Sequence, residues 1–560
     1  MTALGEDFNQ SPPYGDVDLF ETDRPLREAV TANGVGAQAA ALSAFGRRWG
    51  SAEMIERGRL ANENPPKLRA LDAGGNRCDV VEYHPAYHEL MAESIGEALH
   101  ASTWQADAKP AVAPAEVARA ARYYMVAQIE NGHMCPVTMT RAAVAALAAE
   151  PALASQLMPK ILSRDYDVRF LPWRQKSGLT LGMGMTEKQG GTDVRANTTR
   201  AVRSGDDYRL TGHKWFMSAP MCDAFLVLAQ APDGLTCFLL PRFRLDGEVN
   251  ALHFQRLKDK LGNRSNASSE VEFDDAFAQR VGEEGKGIRT ILQMVQLTRI
   301  DCAVASGGLM RAALARAVHH CRHRSVFQKR LVDQPMMRAV LADLALEVEG
   351  TVALVMRLCR AVDLAPRDPA EAARARLLTP VVKYWVCKRA PAFVFEAMEC
   401  LGGNGYVEDG TLARLYREAP VNAIWEGSGN VMCLDVLRAF RSDEEGARGV
   451  VNSLLRETAG LPQSADNVRA IEKILAGASA EADARALVER IALLAAAAAL
   501  TISAPAEIVE IWARTRLSSG GGAMWGTAEL DDRERLHLID RALPAVWLAQ
   551  NRRSQPRYRT

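Results

Sequence analysis

The chain has no excess of charge of either sign: Lys plus Arg number 68, and Asp plus Glu number 68. A net charge of zero gives no global field to draw it to nucleic acid or to an anionic membrane, so either partner would need a local basic patch. Its cysteines do not pair in sequence. Ten are scattered (Cys78, Cys135, Cys222, Cys237, Cys302, Cys321, Cys359, Cys387, Cys400 and Cys433) without a CxxC spacing. That argues against a zinc site and for reduced, mostly buried thiols in a cytoplasmic protein. No apolar run approaches the roughly 18 residues of a membrane span. The longest, Ile491 to Leu500, is short and Ala-rich and reads as a buried helix. Met1 to Tyr14 is polar and acidic, unlike a secretory signal. No tandem repeat is present, which argues against a solenoid.

What is present is a long chain whose texture changes along its length. At 560 residues it exceeds one core, so about three or four domains are expected. Residues 1–30, rich in Pro, Asp and Gly, read as an extended arm. Residues 31–181 read as a helical domain, with apolar spacings of three and four in Ala111–Glu130 and Met139–Leu162. Residues 182–286 read as a small β barrel or sandwich: Tyr208–Met217, Ala224–Ala229, Thr236–Pro241 and Ser269–Phe273 are short apolar or alternating runs between turns. Residues 287–445 return to helix, clearest in Ile288–His323 and Pro335–Val362, and 446–560 form a further helical region. The fold class is α+β, in the order α, β, α and an added α region.

The most informative segment is Ile424-Trp425-Glu426-Gly427-Ser428-Gly429-Asn430. It sets one carboxylate among small residues just before a helix expected over Val431–Phe440, whose N-terminus adds backbone donors. Alone, a Glu before Gly is usually an ordinary surface residue. Four other constellations accompany it. Met185-Thr-Glu-Lys-Gln-Gly-Gly-Thr-Asp193 offers hydroxyls and glycine turns, although a polar connecting loop is the simpler reading. In His213-Lys-Trp-Phe-Met-Ser218, Trp215 or Phe216 could stack on a flat ring, or simply fill a core. Arg324 to Gln334 is a basic helix end suited to pyrophosphate, or a solvated turn. Leu401-Gly-Gly-Asn-Gly-Tyr406 lacks the strand that a Rossmann phosphate loop needs, and reads as a helix-ending turn.

Together, in this order, the constellations resemble the acyl-CoA dehydrogenase flavoproteins. That family carries Met-Thr-Glu-Pro-x-x-Gly-Ser-Asp, Arg-x-x-Phe-Gly-x-x-Leu-x-x-x-Gln, Gly-Gly-x-Gly-Tyr and Tyr-Glu-Gly-Thr. Here Met185–Asp193, then most of the second motif in Arg324, Phe327, Leu331 and Gln334 (with the Gln one position nearer), then Gly402–Tyr406 and Trp425–Ser428 match them. Gln328 stands where the family has Gly, and Lys188 and Gln189 replace its Pro run. The resemblance covers roughly residues 90–440. Gly58–Pro66, Arg256–Ala267 and Ile424–Asp435 are similar to the AidB (adaptive alkylation response) branch, which adds a C-terminal helical domain.

The resemblance implies an N-terminal helical domain, a central β-barrel domain, a C-terminal helix bundle and the extra helical domain. It implies FAD as cofactor, acyl-CoA as substrate and a homotetramer. Met183, Gly184, Met185, Thr186, Gly190, Gly191 and Thr192 would line the flavin, with Phe216, Met217 and Ser218 near its reactive nitrogen. Arg324, Phe327 and Gln334, with Gly402 and Gly403, would reach the FAD of a neighbouring subunit. Ile424, Trp425, Gly427, Ser428, Asn430 and Leu434 complete the cofactor set. Glu426 would be the general base that removes a thioester α-proton; Thr298, where a second family solution puts its base, is not a carboxylate. The branch also implies double-stranded DNA as partner, through Arg438, Arg514 and Arg516. The alternatives are a metabolic acyl-CoA dehydrogenase without a DNA role, or a non-catalytic scaffold that uses FAD structurally. Residues 456–560 hold 14 Lys plus Arg against 13 Asp plus Glu, a net of +1, which is a weak footprint for neutralising phosphates.

Overall fold

The structure is a computed structural model that describes residues 9–104, 114–477, 480–518 and 522–544. The basic tail at Arg552, Arg553, Arg557 and Arg559, and most of the glycine-rich break after Ser518, lie outside the described residues. The arm ends at Asp23 rather than at residue 30, because the Asp23 carboxylate accepts from the Leu26 N–H and caps helix α1 (Arg24–Val30). Helices α2 (Ala39–Trp49) and α3 (Ala52–Glu63) follow.

The helical reading of the next stretch needs correcting. Strands β1 (Lys67–Leu71) and β2 (Arg77–Glu82) pair antiparallel. Between them the Asp72 carboxylate accepts from the N–H groups of Gly74 and Asn76 at 2.8 and 2.9 Å, and Gly75 takes a left-handed φ of +83°. This local turn overrides the helical spacing of its neighbours. Helices α4 (Pro85–Gly96), α5 (Ala115–Ala127), α6 (Met134–Leu147) and α7 (Pro151–Ile161) come next. The apolar spacings over Met139–Leu162 span two helices, since Pro151 opens α7.

The β region holds β3 (Leu181–Gly184), β4 (Arg200–Ser204), β5 (Asp207–Ser218), β6 (Ala224–Ala231), β7 (Gly234–Pro241), β8 (Leu252–Leu257) and β9 (Ser268–Val281). The strand order is β3-β6-β4-β5-β9-β7, with β8 beside β9 and a further β6–β7 pairing. That last pairing closes the ring β6-β4-β5-β9-β7, so of the two expected architectures it is the barrel. Beyond it come α8 (Gly287–His323), the two-residue strands β10 (Ser325–Val326) and β11 (Lys329–Arg330), α9 (Pro335–Leu364) and α10 (Pro369–Glu399). The remaining helices are α11 (Gly403–Tyr406), α12 (Thr411–Glu418), α13 (Gly429–Ser442), α14 (Glu444–Glu457), α15 (Ser464–Ala476), α16 (Ala484–Ser503), α17 (Ala506–Trp512) and α18 (Asp532–Ala542).

The chain divides into two compact units. The first comprises Met1–Ala52, Ala113–Ile129 and Cys302–Thr560; the second comprises Glu53–Val112 and Glu130–Asp301. The first is helical. Helix α16 has the length and apolarity of a membrane-crossing helix, but Leu487, Val488, Ile491 and Leu494 are fully buried in this unit. Trp512 is also buried, and a Cβ on Gly350 of α9 would lie 2.2 Å from its ring. Buried arginines tie distant segments of this unit together. Arg311 of α8 pairs with Asp23 at 2.9 Å and donates to the carbonyls of Thr22 and Ala542. Arg541 of α18 pairs with Glu28 of α1 at 2.5 Å and with Glu349 of α9 at 2.6 Å.

The second unit contains the barrel and the helices beside it. Thr140 of α6 accepts from the Leu181 N–H at 2.9 Å, fixing β3 against that helix. Arg141 pairs with Asp301 at 3.1 Å, both buried. Glu130 accepts from Asn62, Gly132, His133 and Ser265, and these bonds, with the His133 charge, hold its carboxyl well below the usual carboxylate range although burial opposes them.

Candidate active site

In the second unit, the loop after β3 is held against β5 by one backbone bond and one buried ion pair. The Trp215 N–H donates to the Thr186 carbonyl at 2.8 Å. Glu187 is the anchor, and the sequence reading gave it no role of its own. Its carboxylate accepts from the N–H and hydroxyl of Thr198, from the N–H and hydroxyl of Thr199, and from Lys214 Nζ at 2.8 Å. Burial would raise its pKa, but the Lys214 charge and these bonds lower it from 4.5 to about 2. Burial in turn pulls the Lys214 ammonium below its usual range, with Glu187 opposing. Gly184 packs closely on β5, where a Cβ would lie 3.2 Å from Lys214 Cγ. A Cβ on Gly191 would lie 2.4 Å from Thr186 Oγ1, so the hydroxyl sits directly over that glycine.

These contacts bring Met183, Gly184, Met185, Thr186, Gly190, Gly191 and Thr192 together with Phe216 and Ser218. Thr192 is exposed, Gly190 has open space where a side chain would stand, and Phe216 is 49% exposed. Lys258 Nζ lies 3.5 Å from the Trp215 ring centre and 4.5 Å from that of Phe216. The Ser218 hydroxyl is 3.0 Å from that of Ser268. Met217 departs from expectation: its side chain is fully buried and its carbonyl accepts from Ser269 Oγ at 2.9 Å. At a register shift between Lys214 and Met217, Phe216 faces outward and the Met217 side chain turns into the core.

In the first unit the remaining residues form two clusters. Arg324 donates to the Asn9 carbonyl at 2.8 Å, Asn9 exchanges bonds with the N–H and carbonyl of Ser325, and Gln334 Nε2 donates to the Val326 carbonyl at 2.9 Å. The arm continues past α8, where His319 meets the Pro12 carbonyl at 2.8 Å and His320 meets Ser11 at 3.0 Å. Burial lowers the His319 pKa from 6.5 to about 4. Gly402 and Gly403 are open where a Cβ would stand, and Asn404 bonds Gln10 of the same arm at 3.3 Å. Phe327 is 89% exposed.

The second cluster is the Glu426 loop. Helix α13 begins at Gly429, earlier than expected, with Ser428 at its N-cap position. Glu426 has φ +57° and Gly427 φ +104°, both left-handed. Ile424 is exposed, Trp425 Nε1 donates to Asn422 Oδ1 at 3.0 Å, and Leu434 is half-buried on α13. Arg485 of α16 donates to Asn430 Oδ1 at 2.9 Å. Thr298 is buried in the second unit.

The three arginines expected at DNA all make ion pairs. Arg516 is largely buried and pairs with Asp343 and Glu347; Arg514 pairs with Glu534 and the Glu529 carbonyl; exposed Arg438 pairs with Asp435 at 3.3 Å. Arg516 and Arg514 are thus engaged with acids of their own unit, whereas Arg438 shares Asp435 with Arg376 and stays largely exposed.

Family models for the acyl-CoA dehydrogenase middle domain and C-terminal domain match residues 182–276 and 285–440. The chain belongs to the acyl-CoA dehydrogenase family. Its N-terminal part, residues 9–168, matches the adaptive response protein AidB N-terminal domain. Consistent with that, it is 48% identical to AidB of Escherichia coli (strain K12) over 92% of this chain and 95% of that one. It is similar in structure to Caenorhabditis elegans ACDH-11 solved in complex with C11-CoA, with a TM-score of 0.84 at 29% identity, covering 96% of this chain and 97% of that one. A Bacillus anthracis acyl-CoA dehydrogenase solved with FAD shares the fold, with a TM-score of 0.64 at 15% identity over 82% of this chain and 86% of that one.

Proposed function

We propose that the protein is an AidB-type flavoprotein that binds FAD and has acyl-CoA dehydrogenase capability, with Glu426 as the general base. The observation that carries this reading is the placement of Glu426 in a left-handed loop directly before α13, with glycine on its C-terminal side. The residues present fit the cofactor. In the second unit Thr186, Thr192 and Ser218 offer hydroxyls, Phe216 an exposed ring and Gly190 room for close approach; in the first, Gly402, Gly403 and the Arg324 guanidinium would serve the pyrophosphate of a neighbouring copy's FAD. When bound, FAD supplies the oxidation by accepting the substrate's β-hydride. Glu426 removes the α-proton and holds it on its carboxylate, and the flanking backbone orients that carboxylate. Replacing Glu426 by Gln removes the base without changing its shape. Flavin bleaching by acyl-CoA, tested across chain lengths, should fall about 10²–10⁴-fold. Unchanged bleaching would remove Glu426 from this role.

The wider assignment has the protein assemble as a homotetramer in the cytoplasm and contact double-stranded DNA in an alkylation response. Phe327, Met336 and Tyr406, at 89%, 85% and 79% exposed, support burial against another copy. The ten free thiols support a reducing compartment. DNA contact rests on the AidB likeness alone, since its candidate arginines are paired. A salt-dependent gel shift on random duplex tests it, and affinity at background level in low salt removes DNA from the assignment.

A further inference from the structure

Lys383 lies midway along α10 and is 1% exposed. Its ammonium donates at 2.8 Å to the Trp425 carbonyl and at 2.5 Å to the Gly427 carbonyl. These two carbonyls bracket Glu426. A single buried cation thus orients the peptide planes on both sides of the proposed base, and with them the direction of its Cα–Cβ bond.

The loop needs such a hold. Glutamate in the left-handed region is strained, and it persists only where its surroundings over-determine it. Gly427 relieves part of the turn, and a side chain there would meet Met432 Cε at 2.6 Å. Trp425 is tied to Asn422, which is buried, and Gly429 packs against Tyr384 and Lys388 of α10, with a would-be Cβ at 3.4 and 3.3 Å. Both ends of the loop are therefore pinned to the bundle, while its apex is held by Lys383. Burying an ammonium is costly unless its donors are satisfied. Two convergent carbonyls, rather than a carboxylate, make this lysine specific for the loop's backbone shape.

We propose that Lys383 is a positioning residue for catalysis: it holds the Glu426 turn in the conformation that aims the base. The inference rests on the reading of Glu426 as base, but its structural half is testable without that reading. Full-length FAD-loaded protein carrying Lys383→Met removes both bonds at similar side-chain length. Lys383→Gln keeps one shorter donor and serves as the second variant should the first not fold.

Hydrogen exchange read by mass spectrometry should show amides of residues 424–428 exchanging at least tenfold faster in Lys383→Met, with a smaller rise in Lys383→Gln. Titration with a 3-thia-acyl-CoA, whose α-proton can be removed but which yields no product, should give unchanged binding and a long-wavelength charge-transfer band at least tenfold weaker. With substrate, kcat should fall about 10²-fold, as expected for a misplaced catalytic group, with KM within threefold and flavin content unchanged. Exchange unchanged at 424–428 overturns the clamp. Faster exchange with the band and kcat within twofold of wild type overturns the positioning role. Bleaching that survives Glu426→Gln sinks the base assignment but leaves the exchange result standing, so the two failures are distinct.

Discussion

Removing Lys214 should damage the loop after β3 more than removing both members of its ion pair. Both side chains are inaccessible to solvent and meet at 2.8 Å. Lowering the Glu187 pKa from 4.5 to about 2 corresponds to roughly 3 kcal/mol of stability at neutral pH. Because the folded-state pKa is the lower one, this stability is present above about pH 4.5 and is lost as pH falls towards 2. In Lys214→Met the carboxylate keeps its Thr198 and Thr199 donors but loses its only cation among the bonds described. Breaking a buried pair on one side costs about 3–5 kcal/mol. Lys214 itself is disfavoured by burial, so the pair's net worth is below what the carboxylate alone suggests. The double variant Glu187→Gln/Lys214→Met should therefore lose less than Lys214→Met alone. Urea unfolding at pH 7, followed by circular dichroism, gives the stabilities, and flavin absorbance after gel filtration reports on the loop. Loss below about 1 kcal/mol in Lys214→Met, or a double variant no better than the single, would refute this reasoning.

Gly191→Val should lower FAD retention without unfolding the protein, since its Cβ would displace the Thr186 hydroxyl; the absorbance ratio of flavin to protein reads this. Gly350→Val would drive into the Trp512 ring and should cost about 3 kcal/mol, a value typical of severe overpacking, with faster proteolysis after α16 as the visible sign. His319 has a folded pKa of about 4 against 6.5, so its contribution is intact above pH 6.5 and declines between 6.5 and 4. Hydrogen exchange of residues 9–14 should therefore rise as pH falls through that window, after correction for intrinsic rates, and His319→Gln should flatten the rise.

The long helices α8 and α9 were legible because apolar residues recur at spacings of three and four over many turns, with little to interrupt them. The alternation of Ser269–Phe273 likewise disclosed β9. The hairpin β1–β2 was missed because its strands are half-exposed and carry little apolar signal, although Asp72-Ala-Gly-Gly-Asn76 was a usable turn cue. The Glu426 loop stood out because glycine and carboxylate are adjacent in sequence. Glu187 and Lys383 did not, because their partners are distant: Lys214 is 27 positions from Glu187, and the carbonyls that Lys383 holds are 42 and 44 positions away. No residue-type pattern announces a lysine that recognises backbone carbonyls. Arg516 misled for the same reason: an arginine beside another arginine looks exposed until a helix 173 positions away supplies Asp343.

The arginine ties between α1, α8, α9 and α18 also set a schedule for synthesis. Glu28 and Arg541 are 513 positions apart, yet they share one ion-pair cluster with Glu349. At about 5–20 residues per second, the ribosome makes Glu28 roughly 25–100 s before its partner exists. For that interval Glu28 waits without its cation, and Glu349, 192 positions before Arg541, waits about 10–40 s. Helix α18 thus acts as a completion signal: a chain truncated before Arg541 lacks the cation that Glu28 and Glu349 share and presents an unfinished surface to chaperones and proteases.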